Sequence, residues 1–333
     1  MPAPGFGATL APAMTSPASS ARSAPPDAAA IRAAAARIAP HIRRTPLLRL
    51  SAHDTGAPCD VTLKLELLQA TGSFKPRGAF NRLLSAEIPA AGVVAASGGN
   101  HGAAVAYAAQ ALGVPAAIFV PEITGPAKLA RIRAYGAELV QGGAAYDEAR
   151  LASEARAAAT GALIVHAYDQ PEVLAGQGTL ALELEEQAPE LTHVLVATGG
   201  GGLIGGMAAW YDERVEVVSV EPESCATLYA ALREGRPVPV PVGGLAADSL
   251  GARQIGGLAF QVARRHIGTA LLVPDAAIRA AQALLWDRCR LVAEPGGATA
   301  LAALLSGAFS PPAGARVGVV VCGANADPAS VAG

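Results

Sequence analysis

The chain has only three lysines that could attack a carbonyl carbon, namely Lys64, Lys75 and Lys128. Lys75 follows a polar turn and stands between Phe74 and Pro76. Neighbours of this kind remove water from an amine, which lowers its pKa and makes it a nucleophile. The pattern predicts Lys75 as a covalent catalyst, and the competing interpretation is a solvated lysine in a surface loop.

A glycine-rich segment around Asn100 has the composition of an anion-binding loop. The segment 97–102 reads SGGNHG and follows the apolar stretch 92–96. If a strand ends there and a helix follows, the free N–H groups at the start of the helix would hold an anion. Asn100 adds an amide that could donate to a ring oxygen. A glycine turn capped by asparagine is the alternative.

A second glycine-rich segment, TGGGGLIGG over 198–206, lies between a predicted strand and the next helix. Consecutive glycines let backbone N–H groups curl round a phosphate more closely than side chains would permit. Gly200, Gly202 and Gly205 also satisfy the spacing G-x-G-x-x-G, and Glu221 follows where a ribose-binding acid would stand. The segment predicts a phosphate site and leaves an NAD-dependent dehydrogenase as an alternative.

Two residues near the C-terminus could complete such a site. Glu294 opens a helix after a short predicted strand at 291–293, where its carboxylate would either cap the helix or serve the site. Cys322 ends the last predicted strand, at the edge of the sheet where ligands of α/β proteins bind. The alternative for Cys322 is a small buried hydrophobic residue. The four cysteines include no Cys-x-x-Cys pair, which favours free thiols over disulfides or zinc.

The composition narrows the class of protein. Of the 333 residues, 52% are hydrophobic and 16% are charged, which excludes disorder as a description of the whole chain. The net charge is −2 and no run of Lys or Arg occurs, so we expect no nucleic-acid partner. No apolar run reaches the roughly 18 residues of a membrane helix, and we expect a cytoplasmic protein without a membrane partner. Residues 1–26, rich in Ala, Pro and Ser, are predicted to be a disordered extension.

After that extension, short aliphatic stretches alternate with amphipathic ones, which is typical of parallel sheets covered by helices. Asp27 has the right side chain to cap the first helix. The predicted strands are 47–50, 61–66, 92–96, 116–120, 138–141, 163–167, 193–197, 215–220, 291–293 and 316–322. The predicted helices are 28–38, 102–112, 126–135, 145–159, 172–187 and 203–210. The sequence therefore predicts an α/β fold.

In this order, the motifs GSFKPRGA, SGGNHG, GGGGL, EPGGA and VCGAN resemble those of the fold-type II pyridoxal-phosphate enzymes, specifically the serine/threonine dehydratases. The resemblance extends over residues 40–328 and implies a tryptophan synthase β-like fold of two domains. It places pyridoxal 5'-phosphate in the cleft between them. Residues 27–84 and 166–330 would form the larger domain, and 85–165 the smaller, inserted one. The family also implies a homodimer or homotetramer.

The resemblance assigns roles to individual residues. Lys75 would bond covalently to the cofactor and later remove the α-proton of the substrate, and Phe74 would border the cofactor ring. Asn100 would bond the 3-oxygen of the ring, and Cys322 would face the pyridine nitrogen. The loop that binds the cofactor phosphate would consist of Gly199, Gly200, Gly201, Gly202 and Leu203. The residues that bind the substrate would be Ser97, Gly98, Asn100 and His101.

The residue at position 322 bears on the type of reaction. An aspartate facing the pyridine would keep the ring protonated and make the cofactor a strong electron sink. A thiol cannot do so, and loss of a β-hydroxyl then competes well with racemisation or transamination.

Family racemases carry a serine where this chain has Gly98, so we expect poor racemisation. The racemase-type metal site near Glu221 would need an acid where this chain has Thr227, so no metal is expected.

The implied reaction removes water from L-threonine or L-serine and releases a 2-oxo acid (2-oxobutanoate or pyruvate) and ammonia. Another β-hydroxy amino acid, such as 3-hydroxyaspartate, is the alternative within the family. Its second carboxylate would need a cationic partner, for which Arg77, Arg133 and Arg253 are candidates. An NAD-dependent dehydrogenase is the alternative from another class, but it leaves GSFK and SGGNHG unexplained.

Overall fold

The computed structural model describes residues 24–331. All but the last three residues of the predicted extension 1–26 lie outside that range. Within it the strands are β1 (Leu47–Leu50), β2 (Val61–Lys64), β3 (Val93–Ala96), β4 (Ala116–Val120), β5 (Glu138–Gln141), β6 (Leu163–Ile164), β7 (His193–Ala197), β8 (Glu216–Pro222), β9 (Ala270–Val273) and β10 (Val317–Val320). The α-helices are α1 (Ala28–Ile38), α2 (Ala52–Thr55), α3 (Lys75–Leu84), α4 (Asn100–Leu112), α5 (Pro126–Ala134), α6 (Tyr146–Thr160), α7 (Pro171–Gln187), α8 (Gly202–Tyr211), α9 (Thr227–Glu234), α10 (Ala247–Leu250), α11 (Gly257–His266), α12 (Asp275–Cys289) and α13 (Pro295–Leu305).

The strands form two sheets. The larger has the order β1-β2-β10-β7-β8-β9 and is parallel except at its edge, where β1 pairs antiparallel with β2. The smaller has the order β5-β4-β3-β6 and is parallel throughout. The smaller sheet is therefore built from chain inserted between β2 and β7. This arrangement confirms the predicted α/β fold, while the exact domain boundaries near 85 and 165 stay predictions.

The central strands of the larger sheet are buried on both faces. Every residue of β10 is buried, and so are all residues of β7 and β8 except the first of each. Continuous aliphatic runs are expected where helices cover both faces of a parallel sheet. The strands, together with α8 and α13, contribute to one hydrophobic core, and the smaller sheet has its own. The loops at the carboxyl ends of the strands thus rest on rigid layers.

Most predicted elements form within a few residues of their expected bounds, with two exceptions. Asp27 caps α1 by accepting from the Ala30 N–H at 2.8 Å, as predicted. The strand predicted at 291–293 is wrong. Arg290 ends α12 with a φ of +57°, and the residues that follow connect to α13 without forming a strand. The strand predicted at 163–167 ends at Ile164, because the His166 N–H bonds the Gln170 side chain instead.

Within residues 24–331, no helix is long and apolar enough to span a membrane. In the same range no three side chains of His, Cys, Asp or Glu lie close enough together to hold a metal ion.

Candidate active site

Lys75 is fixed where the loop before α3 meets the end of β10. Ser73 forms an isolated antiparallel bridge with Gly323. The Phe74 N–H donates to the Cys322 carbonyl at 3.2 Å. Helix α3 begins at the next residue, Lys75. These two backbone contacts bring the predicted nucleophile and the predicted thiol, which are far apart in the sequence, into one site.

The amine of Lys75 has the properties of a nucleophile. Its Nζ donates to the Ala167 carbonyl at 2.9 Å and lies 5.0 Å from the centroid of the Phe74 ring. Burial lowers the pKa of Lys75 to about 8, against a weaker opposing pull from Cys322 and Glu294. More of this amine is therefore unprotonated near neutral pH than in an ordinary lysine, and the unprotonated form can attack a carbonyl.

Arg77 anchors the first turn of α3 in a buried ionic network. Its guanidinium binds Glu66 through Nε–Oε1 at 2.6 Å and Nη2–Oε2 at 3.0 Å, and it binds Glu183 Oε2 at 3.0 Å. Lys64, also fully buried, pairs with Glu183 from the other side. Arg77 is 0% exposed, and its charge is already paired with two carboxylates. The hypothesis that it receives a second substrate carboxylate is therefore wrong.

The other two arginines considered for that role also lie outside the site. Arg253 is 74% exposed and pairs with Asp147 at 3.9 Å. Arg133 is exposed on α5. Another cation, Arg131, lines a cavity of about 460 Å³ together with Gln69, Thr71, Gly72 and Asn325.

Asn100 belongs to a chain of hydrogen bonds that joins four segments. Its Nδ2 donates to Glu294 Oε1 at 2.6 Å, and its Oδ1 accepts from Asn325 Nδ2 at 2.6 Å. Asn325 also donates to the Thr71 carbonyl at 2.9 Å. The first residue of α4 is thus held between the start of α13 and the segment after β10. This holds the Asn100 amide in one orientation.

Glu294 does not cap α13 with its side chain. The residue occupies the N-cap position, but its carboxylate makes no capping hydrogen bond and reaches Asn100 instead. Burial raises the pKa of Glu294 to about 7, although the Asn100 hydrogen bond and the cations Arg131 and Lys128 oppose the shift. Glu294 is therefore a buried carboxyl group within the site that can hold or release a proton near neutral pH.

The glycine loop 199–202 leaves no room for side chains. A Cβ at Gly200 would lie 2.2 Å from the Tyr168 ring, and one at Gly199 would lie 2.7 Å from the Leu250 carbonyl oxygen. Gly201 has a φ of +86°, which disfavours other residues. Helix α8 follows directly, and the first N–H groups of a helix have no partner within it. The loop can therefore present bare backbone N–H groups to a phosphate. The side chain of Leu203 is buried in the core, so only its backbone could take part.

The segment 97–101 lies at the start of α4 with its side chains already engaged. Ser97 Oγ accepts from the Gly99 N–H at 3.2 Å. A Cβ at Gly98 would lie 2.7 Å from the Thr124 side chain, so this position leaves little space for a serine. His101 is buried and its Nε2 lies 2.8 Å from the Val165 carbonyl. Burial lowers the pKa of His101 to about 3, so its ring is neutral at physiological pH.

The Cys322 thiol lies at the carboxyl edge of the larger sheet, as predicted from the end of β10. It is 3% exposed, and its Sγ donates to the Gly296 carbonyl at 3.4 Å. Burial raises the pKa of Cys322, so the thiol stays neutral at physiological pH. It presents no charge to whatever binds beside it.

Glu221 is used inside the protein rather than in a nucleotide or metal site. Its carboxylate accepts from the N–H groups of Leu228 at 2.8 Å and Tyr229 at 2.7 Å, and from Thr227 Oγ1 at 3.2 Å. These bonds cap α9 and leave the carboxylate 0% exposed. A ribose-binding acid would have to face the cleft, so the G-x-G-x-x-G match does not represent a dinucleotide site here.

The residues around Lys75 fit pyridoxal phosphate. The fully buried Ser73 hydroxyl has no hydrogen-bond partner anywhere in the described range, which leaves a free polar atom two residues before Lys75 in the chain. The bare glycine loop fits a phosphate and the Lys75 amine fits an aldehyde. Asn100 could hold the ring oxygen and Cys322 could face the ring nitrogen, as the resemblance implies.

Sequence reasoning did not assign site roles to three residues that the structure places here. Glu294 was left open between a cap and a site residue, and its partner Asn100 lies 194 positions away. Asn325 stands within the VCGAN motif, which was the only signal for it. Nothing in the sequence indicated that Tyr168 would cover the glycine loop.

Comparison with known proteins identifies relatives along almost the whole chain. The family model described as "pyridoxal-phosphate dependent enzyme" matches residues 38–323. A phenylserine dehydratase of Ralstonia pickettii is 39% identical over 316 residues, 92% of this chain and 95% of that protein. An L-threonine ammonia-lyase of Geobacter sulfurreducens is 38% identical over 296 residues, 87% of this chain and 73% of that protein. The structure of maize serine racemase superposes with a TM-score of 0.86 at 32% identity, covering 91% of this chain and 95% of that one.

These matches agree with the site that the fold assembles around Lys75 and the glycine loop. The chain therefore belongs to the fold-type II pyridoxal-phosphate-dependent enzymes, among the dehydratases and ammonia-lyases, and its cofactor is pyridoxal 5'-phosphate.

Proposed function

We propose that the protein removes water from L-threonine and L-serine and releases the 2-oxo acid and ammonia. The observation that carries this proposal is that the Phe74–Cys322 backbone contact brings a Lys75 amine with a lowered pKa into one site with a buried Cys322 thiol that stays neutral. Family membership already decides against an NAD-dependent dehydrogenase.

The cofactor supplies electron withdrawal from the α-carbon of the bound amino acid. Lys75, when unprotonated, takes the α-proton onto Nζ. Cys322 holds no charge toward the ring nitrogen, which disfavours build-up of negative charge at the α-carbon and favours loss of the β-hydroxyl, which takes the proton from Lys75 Nζ and leaves as water. The N–H groups of Gly98, Asn100 and His101, at the start of α4, hold the substrate carboxylate, since those of Ser97 and Gly99 already donate within the protein. The released enamine takes up one water, which replaces the one lost, and gives the 2-oxo acid and ammonia.

A second candidate substrate is a β-hydroxy amino acid with an aromatic side chain. It is favoured by the phenylserine dehydratase, which matches this chain over 95% of its own length. 3-Hydroxyaspartate has less support, because Arg77 is occupied by Glu66 and Glu183 and the other two proposed arginines are exposed.

The test compares release of 2-oxo acid by the purified holoenzyme from L-threonine, L-serine, L-threo-phenylserine and 3-hydroxyaspartate, with the D-enantiomers of the first two as controls. We expect the highest kcat/KM with L-threonine or L-serine and no product from D-serine. Faster turnover of phenylserine would replace the proposal with the second candidate.

We also propose a cytoplasmic homodimer or homotetramer, which the family resemblance supports. Free cysteines within the described residues are compatible with a reducing compartment. Light scattering of the purified protein should give two or four times the chain mass of 33.2 kDa.

A further inference from the structure

Helix α7 approaches α3 with no room for a side chain at the contact. A Cβ at Gly176 would lie 2.4 Å from the Arg77 carbonyl oxygen and 2.7 Å from the Gly78 Cα. Both are backbone atoms, so neither can give way unless α3 itself moves. The Arg77–Glu183 ion pair joins the same two helices at 3.0 Å. Because α3 begins at Lys75, this contact fixes the helix that carries the reactive amine.

The same helix meets α8 in an equally close contact. A Cβ at Gly178 would lie 2.7 Å from the Gly206 carbonyl oxygen. A Cβ at Gly206 would lie 2.3 Å from the Leu174 carbonyl oxygen and 2.6 Å from the Gly178 nitrogen. Helix α8 begins at Gly202, so this contact fixes the helix that carries the glycine loop.

The two contacts lie on opposite sides of α7. Gly176 and Gly178 are two residues apart, which is about 200° around an α-helix. The segment leading into α7 touches both ends of the site as well. The Ala167 carbonyl accepts from Lys75, and the Tyr168 ring lies against Gly200. Glycine weakens a helix interior, so two glycines in α7 call for a packing reason.

We propose that α7 is the spacer that sets the distance between the Lys75 amine and the glycine loop, with Gly176 and Gly178 as its positioning residues. Pyridoxal phosphate carries its aldehyde and its phosphate at fixed positions on one rigid ring. The protein can hold both ends at once only if the amine and the loop stand at the matching separation. A methyl group at either glycine would push α3 or α8 outward and spoil that match, while leaving each end intact.

The test uses two ligands that differ only in the aldehyde. Pyridoxal phosphate is held at both ends, whereas pyridoxine phosphate has an alcohol there and is held by its phosphate end without bonding to Lys75. The dissociation constant of each is measured by fluorescence titration of the cofactor-free full-length protein. In Gly176→Ala and Gly178→Ala we expect at least a tenfold weaker binding of pyridoxal phosphate and less than a threefold change for pyridoxine phosphate.

Leu304→Ala is the matched control, because Leu304 is buried in the same core on α13 and its loss lowers stability without displacing α3 or α8. It should lower the melting temperature and change neither affinity by more than threefold. If Gly176→Ala fails to fold, Gly78→Ala replaces it, because it presses on the same contact between α3 and α7; if Gly178→Ala fails to fold, the α3–α7 variants carry the test. A Cβ at Gly78 would press on the Gln177 side chain, 2.3 Å away, which can partly yield. For Gly78→Ala we expect a threefold to tenfold loss for pyridoxal phosphate alone.

Two results would overturn the proposal. One is pyridoxal phosphate binding within threefold of the parent in the folded variants. The other is an equal loss for both ligands, which would mean damage to the glycine loop rather than a change in spacing. No amino-acid substrate enters these measurements, so they stand apart from the dehydratase proposal.

Discussion

Burial acts in opposite directions on the two groups at the centre of the site. Removing water disfavours the charged form of any group, so it lowers the pKa of the Lys75 ammonium and raises that of the Cys322 thiol. One physical cause thus favours the uncharged form of both groups. Glu294 follows the same rule, with a pKa raised to about 7.

Covalent capture of pyridoxal phosphate should depend on pH through Lys75. The unprotonated amine is the reactive form, so the rate of capture by cofactor-free protein should rise with pH and level off above about 8. Stopped-flow absorbance measures this rate, and Lys75→Ala should show no covalent capture at any pH. A midpoint near 10.5, the ordinary value for lysine, would contradict the account.

Two substitutions of Cys322 should show whether the reaction depends on a neutral group at this position. Cys322→Ser keeps a small neutral group beside the ring, so we expect kcat for 2-oxo acid release to stay within about fivefold. Cys322→Asp introduces a group that can hold a proton on the pyridine nitrogen, and we expect a loss of about 100-fold or more. Holoenzyme absorbance checks that both variants retain cofactor. Equal activity of the two variants would show that position 322 does not control the reaction.

The sequence reveals residues whose role depends on local spacing and hides those whose role depends on distant partners. Lys75, Asn100 and the glycines at 199–202 lie in short motifs, so their types alone indicate chemistry. The sequence offers Arg77 only as a candidate partner for a second substrate carboxylate, because its partner Glu183 lies 106 positions away. Long-range pairing of this kind cannot be read from one sequence.

At the scale of elements, α3 is held to its neighbours by buried charges as well as by apolar packing. Arg77 joins the helix to Glu66 after β2 and to Glu183 on α7, and Lys64 on β2 neutralises the second carboxylate. Arg77 and Lys64 lower the pKa of Glu183 more than its burial raises it. The network therefore contributes stability above pH 4.5, the usual pKa of that carboxyl, and loses it as the pH falls further.

Arg77→Met should be strongly destabilising, because it leaves two buried carboxylates short of a partner. We expect the free energy of unfolding to fall by about 3–5 kcal/mol near neutral pH, measured by urea denaturation. Arg44→Ala is the control, since Arg44 and Glu186 form an exposed pair, 56% and 53% exposed. Its loss should cost less than about 1 kcal/mol. A similar cost for the two variants would remove the special role given to the buried network.

The sequence predicts the alternation of strands and helices because each parallel strand carries an unbroken aliphatic run. It does not predict the order of strands in the larger sheet, since β10 inserts between β2 and β7 from the far end of the chain. The strand predicted at 291–293 failed because three apolar residues cannot show that Arg290 turns the backbone away.

At the scale of the molecule, several polar contacts connect the inserted chain to the larger sheet's loops, among them Asn100–Asn325 at 2.6 Å and Asp147–Arg253 at 3.9 Å. Two others differ in exposure: the Asn100–Glu294 hydrogen bond at 2.6 Å is largely buried, and the Lys128–Asp248 pair is 3.0 Å long. The second is exposed, with 83% of the Asp248 side chain accessible. Exposed ion pairs contribute little stability. The Asn100–Glu294 hydrogen bond should therefore hold the inserted chain against the larger sheet's loops more strongly than the Lys128–Asp248 pair does.

Glu294→Leu should therefore reduce kcat/KM for L-threonine by about 10- to 100-fold, the equivalent of a lost hydrogen bond to a charged group. Glu294→Gln retains an acceptor for Asn100 and should lose less. Lys128→Ala should change kcat/KM by less than about threefold. Steady-state kinetics at pH 8 tests all three, and a larger effect from Lys128→Ala than from Glu294→Leu would refute this view of the cleft.

In the proposed function, Lys75 makes this chain a dehydratase for β-hydroxy amino acids. The most direct measurement is the release of 2-oxobutanoate and ammonia from L-threonine by purified holoenzyme, beside Lys75→Ala loaded with the same cofactor. We expect equal amounts of the two products from the parent protein and a loss of at least about 1000-fold in the variant. Undiminished release by Lys75→Ala would rule out this role of Lys75.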